Sequence, residues 1–251
     1  MKETETRFTT EALVIKEMNV GESDRLVTLF TREGKLLRAF AAGAKNVRSK
    51  KGAATALLTY GSFTVLHKKD TFRIYEAAPM RVFYGAGSDI ERLALAQYFC
   101  ELAAVFAETD SENGEFFRLI LNSLHFLTAE MRYPPLVKAI TELRTAVLTG
   151  YTPDLVACAG CGKFEDDVMF FESAGGALYC GNCKPSAKTA PISRTMLSAM
   201  RHIVYAEFSK LYAFDIPNEA ARTLSDLTGA YITLQTDHRF ATLDFYNSIK
   251  E

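Results

Sequence analysis

Four cysteines arranged as two Cys-x-x-Cys pairs constrain the fold of this chain more than any other feature of its sequence. Cys158 and Cys161 form the first pair, Cys180 and Cys183 form the second, and 18 residues lie between the pairs. A two-residue gap allows both thiolates of one pair to face a single ion, and a second pair completes a tetrahedron of four sulfurs. This spacing is typical of a structural zinc site, so we expect one zinc ion per chain.

Disulfide bonds are the alternative interpretation of the same four cysteines. The first sixteen residues carry acidic side chains where a secretion signal would carry basic ones, and no long apolar stretch follows. Thiols stay reduced in the cytosol, so the sequence favours a metal site in a soluble cytoplasmic protein. A closed site of four thiolates leaves no open coordination position, which predicts a structural metal rather than a catalytic one.

The residues within and between the two pairs predict a zinc ribbon. Gly160, Gly162 and Gly181 suit the tight turns with positive φ that such cysteine pairs require. Gly175-Gly176 predicts a hairpin turn that joins a strand at 168–171 to a strand at 177–179.

The charge of the chain is unevenly distributed. The total of 29 basic and 30 acidic residues gives a net charge of −1, but residues 1–85 carry +6 and residues 86–251 carry −7. The stretch from Arg32 to Lys51 holds seven basic residues and one acidic residue, Glu33. Such a region indicates a polyanionic partner, although a solvated lysine-rich loop would have the same composition.

The first eighty residues predict a small β-barrel. Turn signals separate five segments that are rich in β-branched and aromatic residues. The one long connection lies between the third and fourth segments, which suits a five-stranded Greek-key barrel of the oligonucleotide-binding (OB) type. An SH3-like barrel would show much the same pattern. The segments are 11–18, 25–32, 35–43, 61–69 and 71–80.

Helical periodicity replaces the strand pattern after Pro79 and predicts three helices before the cysteines and two after them. The predicted fold class is therefore α+β and multidomain, with an N-terminal OB-type β-barrel, then a helical bundle domain that carries an inserted four-cysteine zinc ribbon. We expect an OB domain at 1–80, a first helical part at 81–155, the zinc module at 156–186 and a second helical part at 187–251.

The sequence carries no recognisable catalytic constellation. Its four histidines stand in no catalytic spacing, and the phosphate-binding motif G-x-x-x-x-G-K-[ST] does not occur. The motif G-x-S-x-G of a nucleophile on a strand-to-helix turn does not occur either. We therefore predict that the chain is not an enzyme.

A small barrel with a basic loop is suited to nucleic acid, because lysine and arginine contact phosphates while aromatic side chains stack on bases. Phe40 and Tyr60 are possible stacking groups, but we assign both to the barrel core. The predicted nucleic-acid contacts are Arg25, Lys35, Arg38, Lys45, Arg48, Lys50 and Lys51.

Several motifs occur together in one order along nearly the whole chain. The barrel region contains Gly21-Glu-Ser-Asp-Arg-Leu-Val27, Leu29-Phe-Thr-Arg-Glu-Gly34 and the loop from Gly43 to Lys50. The helical region contains Glu142-Leu-Arg144, then Leu148…Gly150-Tyr-x-Pro153, and finally the cysteine pairs around Gly175-Gly176. In this combination the chain resembles the bacterial DNA repair protein family RecO.

The resemblance implies a non-enzymatic mediator of recombinational repair that is associated with the nucleoid. It implies binding to single- and double-stranded DNA, annealing of complementary strands, and work with RecR, single-strand-binding protein (SSB) and, indirectly, RecA. An acidic SSB tail with an apolar end would require an apolar groove with a basic rim on the helical domain. The candidates for that rim are Arg92, Arg118, Arg132, Lys138 and Arg144.

From the residues alone, one alternative function stays open. A zinc ribbon can also serve as a protein-interaction scaffold, and the barrel would then bind a protein or RNA instead of DNA.

Overall fold

The computed structural model describes residues 6–46, 49, 51–83, 89–107, 113–185 and 188–250. The chain divides into two compact units, one made of Met1–Ala129 with Asp244–Glu251 and the other of Glu130–Leu243. Arg48 and Lys50, two of the predicted nucleic-acid contacts, lie outside the described residues. The division of the chain at residues 80, 155 and 186 stays a prediction.

The first unit contains a closed barrel of five strands. They are β1 (Thr6–Val20), β2 (Asp24–Thr31), β3 (Leu36–Ala41), β4 (Thr59–Lys68) and β5 (Thr71–Val82). The strand order is β1-β2-β3-β5-β4, and pairing of β1 with β4 closes the barrel. All neighbours are antiparallel except β3 and β5, which are parallel. The predicted OB-type barrel is therefore confirmed.

Strand β1 is longer than its apolar pattern indicates because it pairs with two partners. Residues 12–20 pair with β2, and residues 6–13 pair with β4. A bulge between Val14 and Lys16 leaves Ile15 without a partner on β2. Such a bulge bends a strand and increases its twist, which allows one strand to close both sides of a barrel.

Apolar side chains from all five strands fill the barrel interior. Ala39 and Ala41 on β3 both lie in this core, so Phe40 between them points to the outer face and is half-buried. The assignment of Phe40 to the core is therefore wrong. The core residues are Ala12, Val14, Val27, Leu29, Ala39, Ala41, Ala44, Phe63, Val65 and Ile74.

Three helices complete the described first part of the chain: α1 (Lys51–Ala54), α2 (Ile90–Phe106) and α3 (Gly114–Thr128). The ring of Phe30 packs edge-on against two rings of α3, with centroids 5.4 Å from Phe116 and 5.5 Å from Phe117. The ring centroids of Tyr60 and Phe117 are 6.2 Å apart, and the Tyr60 hydroxyl donates to the Glu11 carboxylate at 2.6 Å. Tyr60 pairs with Leu13, between the core residues Ala12 and Val14, so it lies half-buried on the outer face of the barrel and its assignment to the core is wrong.

The second unit combines helices with a small sheet. Its helices are α4 (Pro134–Leu148), α5 (Arg194–Tyr205) and α6 (Asn218–Thr236), and α7 (Ala241–Ile249) follows across the boundary between the units. The sheet strands are β6 (Asp154–Cys158), β7 (Met169–Glu172), β8 (Ala177–Cys180) and β9 (Ala190–Ile192), in the order β6-β8-β7-β9. No helix in the described part of the chain is long and apolar enough to cross a membrane.

Helix α4 is buried along most of its length and carries a buried ion pair. The Lys138 ammonium lies 2.9 Å from the Glu142 carboxylate, and the two side chains are 1% and 0% exposed. Lys138 also donates to the Ser225 carbonyl at 2.7 Å, and the Thr228 hydroxyl donates to Glu142 at 2.6 Å. The guanidinium of Arg144 donates to two backbone carbonyls of α5. Lys138 and Arg144 are therefore unsuited to the rim of an exposed groove.

Candidate metal centre and nucleic-acid interface

Two neighbouring strands of the small sheet bring the cysteine pairs together. Strand β6 runs parallel to β8, and each strand ends at the first cysteine of a pair, Cys158 or Cys180. Since parallel neighbours end at the same edge of a sheet, the two turns that carry Cys161 and Cys183 meet there. All four sulfurs lie within 4.8 Å of one another.

The hairpin between the cysteine pairs is the predicted one. Strands β7 and β8 are antiparallel, and Gly176 in the turn has a φ of +64°. A Cβ at Gly176 would lie 2.9 Å from the Tyr231 hydroxyl, so both the turn and the packing favour glycine here. Strands β6 and β9, which the sequence pattern did not predict, extend the hairpin to four strands.

The spacing of the sulfurs fits a tetrahedral metal ion. Bonds of about 2.3 Å to a central zinc place the sulfurs roughly 3.8 Å apart. The sulfurs of Cys161 and Cys180 are separated by 3.7 Å, whereas a disulfide bond would bring them to about 2.05 Å. The donor set, four thiols at one edge of the sheet, also suits zinc, which binds cysteine sulfur in closed structural sites.

The pKa values of two of the four thiols are shifted in opposite directions. Burial raises the pKa of the Cys158 thiol, but hydrogen bonds from the backbone N–H groups of Cys180, Gly160 and Cys161 outweigh it and lower the pKa to about 6. Contacts with the thiols of Cys180 and Cys161 raise the pKa of Cys183 to about 12. Four thiolates this close would repel one another, and a divalent cation would relieve that repulsion.

The prediction of a positive φ at the three glycines of the two turns is confirmed for one of them. Gly162 has the expected positive φ of +75°, but Gly160 and Gly181 do not have a positive φ. Gly160 is required for a different reason, because a Cβ there would lie 2.8 Å from the Cβ of Cys183. Close approach of the two turns, rather than backbone conformation, therefore excludes larger residues at this position.

Arg201 of α5 holds the metal-binding module in place, a role that sequence reasoning missed. Its guanidinium donates to the backbone carbonyls of Leu155 and Val156 at 2.8 Å and 2.9 Å, and to that of Phe164 at 2.8 Å. It also lies 3.9 Å from the centroid of the Phe164 ring. A helical arginine 18 residues after the last cysteine gives no sequence signal for these contacts.

Among the described residues, the predicted nucleic-acid contacts lie at both ends of the β2–β3 hairpin, with Arg38 in the middle of β3. Arg25, at the start of β2, pairs with Ala41, at the end of β3, and the basic loop follows there. Lys45 and Lys51 flank this loop, whereas Lys35 lies in the β2–β3 turn at the opposite end of the hairpin. The predicted residues therefore do not form a single cluster.

Two of these cations are engaged inside the protein. Arg25 donates to the Gly52 carbonyl at 3.0 Å and lies 3.4 Å from the Glu17 carboxylate, and its side chain is 20% exposed. The Lys51 ammonium donates to the Ile74 carbonyl at 2.9 Å. Both side chains hold the loop against the barrel, while Arg38 and Lys45 are exposed.

A row of apolar side chains crosses the outer face of three strands. Met18 pairs with Leu26, and Leu26 pairs with Phe40. Side chains at paired positions share one face of a sheet, so these three form a continuous strip. Met18 is 49% exposed, and Leu26 and Phe40 are half-buried. We refer to Met18, Leu26 and Phe40 as the apolar row.

Cations flank the apolar row. In the next row along the strands, Lys16 pairs with Thr28 and Thr28 pairs with Arg38. A shallow groove runs between the two rows and is lined by Lys16, Met18, Leu26, Thr28 and Arg38. On the other side of Phe40, Arg73 of β5 pairs with it and is exposed.

Sequence reasoning missed Lys16 and placed Phe40 in the core for a physical reason. Without the bulge at Ile15, Lys16 would share the inward face of Val14, so strict alternation in β1 hides its outward position. For Phe40 a signal was present, because its two neighbours are small alanines and a narrow barrel fills its interior with such residues.

These features define a class of protein: a closed OB-type barrel with a cationic outer face, followed in the chain by a helical region that carries a four-cysteine metal-binding cluster. The family model for the recombination protein O N-terminal domain matches residues 1–83, and the model for its C-terminal domain matches residues 87–244. The chain therefore belongs to the RecO family of DNA repair proteins.

Curated relatives agree with this assignment over nearly their whole length. The chain is 28% identical over 241 residues to the DNA repair protein RecO of Acetivibrio thermocellus, with 96% of each chain covered. It is 26% identical over 240 residues to that of Caldicellulosiruptor saccharolyticus, covering 96% of this chain and 98% of the relative. It is 28% identical over 245 residues to that of a Thermoanaerobacter species, covering 96% and 97%.

Proposed function

We propose that this RecO-family protein binds single- and double-stranded DNA through its barrel and anneals complementary strands without ATP or any catalytic step. The apolar row beside Lys16 and Arg38 carries the proposal. An exposed aromatic ring can stack on an unpaired base, and the adjacent cations can neutralise the phosphates on either side of that base.

Charge neutralisation explains how such a protein would promote annealing. Two complementary strands repel each other through their phosphates, and cations on the barrel and its loop would lower that repulsion while the bases pair. Arg38 and Lys45 are exposed and could contact the phosphates directly. Arg48 and Lys50 remain contacts that are predicted from the sequence. Arg25 and Lys51 would act by holding the loop.

Within the cell we propose a cytoplasmic, nucleoid-associated mediator that works with RecR and SSB and helps to load RecA onto coated strands. The support is membership of the RecO family and the resemblance of the motifs. Of the five candidates for an SSB-binding rim, Lys138 and Arg144 are buried, and Arg92 and Arg132 donate to backbone carbonyls of the protein. Arg118 is exposed and is the candidate that we retain.

We further propose that the four cysteines hold one structural zinc ion. Cys158, Cys161, Cys180 and Cys183 would each supply one thiolate, and the closed site would fix the two turns and the ends of β6 and β8. Zinc would therefore contribute to the stability of the second unit and not to any reaction.

A binding and annealing assay tests the proposed function. The protein is titrated into labelled single-stranded DNA, duplex DNA and RNA of one sequence at two salt concentrations, and annealing of bare and SSB-coated strands is followed with and without ATP. We expect DNA binding that weakens with salt, and annealing that does not depend on ATP. Failure to bind DNA at low salt would contradict the proposal, and a clear preference for RNA would favour the scaffold alternative.

A further inference from the structure

The basic loop between β3 and β4 begins and ends at neighbouring points of the barrel. A Cβ on Gly52 would lie 2.9 Å from the carbonyl oxygen of Ala44, so the two ends of the loop are in contact. We call residues 43–45 and 51–52 the neck of the loop. Lys45 and Lys51 belong to the neck itself, so the position of the neck decides where these two charges lie.

Hydrogen bonds from the β1–β2 turn and the start of β2 hold the first side of the neck. One carboxylate oxygen of Asp24 accepts from the backbone N–H of Gly43 at 2.7 Å and from the Ser23 hydroxyl at 3.0 Å. The backbone N–H of Lys45 donates to the Ser23 carbonyl at 2.9 Å. These hydrogen bonds therefore hold the first side of the neck in a fixed position against the β1–β2 turn.

The next residue of β2 holds the second side of the neck. Arg25 donates to the Gly52 carbonyl at 3.0 Å and to the Thr55 hydroxyl at 3.4 Å. Successive side chains of a strand point to opposite faces, so Asp24 and Arg25 can reach the two sides of the neck from adjacent positions.

Asp24 is an unexpected residue at this place if charge alone matters. A carboxylate beside cations that contact phosphates opposes DNA binding, so simple electrostatics predicts that its removal would tighten binding. The hydrogen bond from Gly43, followed by that from Ser23, lowers the pKa of Asp24, so it stays ionised at neutral pH. The hydrogen bonds indicate that Asp24 helps DNA binding by holding the neck in place, and that this effect outweighs the repulsion between its charge and the phosphates.

We propose that Asp24 is a positioning residue for phosphate binding, which fixes the neck of the basic loop against the β1–β2 turn so that Lys45 meets the DNA backbone in a set place. This inference rests on the proposed DNA binding. It goes beyond that function because it assigns a favourable role in binding a polyanion to an acidic residue that does not touch it.

The test compares three variants in single-stranded DNA binding across a range of salt concentrations. Asp24→Ala should weaken binding about threefold to tenfold and reduce the salt slope by about 0.7 to 1.4, which corresponds to one or two phosphate contacts on a single strand. Asp24→Asn keeps an oxygen that can accept from Gly43, so it should bind within twofold of the wild type or more tightly. Glu22→Ala removes the same charge from the exposed neighbouring turn and should bind equally or more tightly, with no reduced slope.

Two outcomes overturn the inference while leaving the proposed function intact. Tighter binding by folded Asp24→Ala, as for Glu22→Ala, would show that only charge matters at position 24. Equal weakening by Asp24→Asn and Asp24→Ala would exclude the acceptor role. If Asp24→Ala does not fold, Ser23→Ala replaces it. This variant removes the hydroxyl that donates to the Asp24 carboxylate, so it should weaken DNA binding by a smaller factor. Unchanged DNA binding by Ser23→Ala would contradict the inference. Absence of DNA binding by the wild type would instead remove the proposed function itself.

Discussion

Leu26 and Phe40 lie directly opposite each other on the outer face of the barrel, one on β2 and the other on β3. Side chains at such paired positions contact each other, so Leu26 supports one side of the Phe40 ring. The exposed remainder of that ring, with Arg38 two residues away on the same face, is the place where we expect an unpaired base to bind. Bases inside a duplex are already stacked and cannot reach it.

Removal of the Phe40 ring should therefore weaken binding to single strands more than binding to duplex DNA. Stacking of one base on an aromatic side chain contributes about 1–3 kcal/mol, so Phe40→Ala should lose roughly 5- to 150-fold in single-strand affinity. Fluorescence anisotropy with a single strand and the duplex of the same sequence measures both. Phe40→Tyr keeps the ring and should stay near the wild type.

Met80→Ala is the matched control for this change. Met80 is an exposed apolar residue of the same barrel, 57% exposed on β5, but it is outside the apolar row. Met80→Ala should leave the affinities for single-stranded and duplex DNA unchanged. Equal losses for single strand and duplex in Phe40→Ala would indicate a general defect and not a lost stacking contact.

The metal site predicts a stability effect confined to the cysteine cluster. Elemental analysis of gently purified protein should give about one zinc per chain, and Cys158→Ser should lower both the zinc content and the thermal stability of the second unit. Cys100→Ala is the control, because Cys100 is a buried cysteine outside the cluster, and it should retain the metal. Protein without zinc, or equal metal content in both variants, would refute the assignment.

The buried pair in α4 predicts a large asymmetry between single and double substitutions. Lys138→Met or Glu142→Leu alone leaves one buried charge without its partner and should destabilise the protein by about 3–5 kcal/mol. The double variant leaves neither charge and should be much closer to the wild type. Denaturant unfolding measures the free energy of unfolding of the two single variants and of the double variant. If the double variant loses the sum of the two single losses in stability, the two charges are not coupled.

Tyr60 predicts a loss of barrel stability at high pH. Burial, together with the hydrogen bond to Glu11, raises the pKa of Tyr60 from 10.0 to about 12. A group with a raised pKa in the folded state stabilises the fold below pH 10, and that contribution is lost as the pH rises from 10 towards 12. The stability difference between the wild type and Tyr60→Phe should therefore shrink over this range. A constant difference in the unfolding midpoint would contradict the raised pKa.

Much of the fold could be predicted from local patterns. The strand and turn signals identified all five barrel strands, and helix-starting residues such as Ser193, whose side chain caps α5, marked the later helices. Strand β1 was predicted only from residue 11 onwards, because Phe8 is the one apolar residue between Thr6 and Thr10 and this segment is held by backbone pairing with β4. Strands β6 and β9 were missed because they have only five and three residues, which is too short for a periodic pattern.

The candidate sites show the same contrast between local and long-range information. The cysteine cluster was predictable because ligand spacing within each pair is set by local geometry, and four identical donors leave few alternatives. The proposed nucleic-acid face was not predictable, because it depends on which strands are neighbours and on the bulge at Ile15. Charge alone also does not distinguish Arg25 from Arg38, because the carbonyl partner of Arg25 at Gly52 is distant in the sequence.

The salt dependence of single-strand binding tests the central claim most directly. The slope of log affinity against log salt counts neutralised phosphates, at about 0.7 per contact on a single strand. The quadruple variant Arg38→Ala, Lys45→Ala, Arg48→Ala and Lys50→Ala is compared with a variant that loses the same charge from exposed positions of the second unit. The residues changed to Ala in that control are Lys184, Lys188, Arg194 and Lys210.

We predict a flatter slope and weaker annealing for the barrel variant, and a slope like that of the wild type for the control. The claim that the barrel face and its loop bind DNA would be contradicted if the folded barrel variant kept the salt slope of the wild type. Equal flattening of the slope in both variants would contradict it as well.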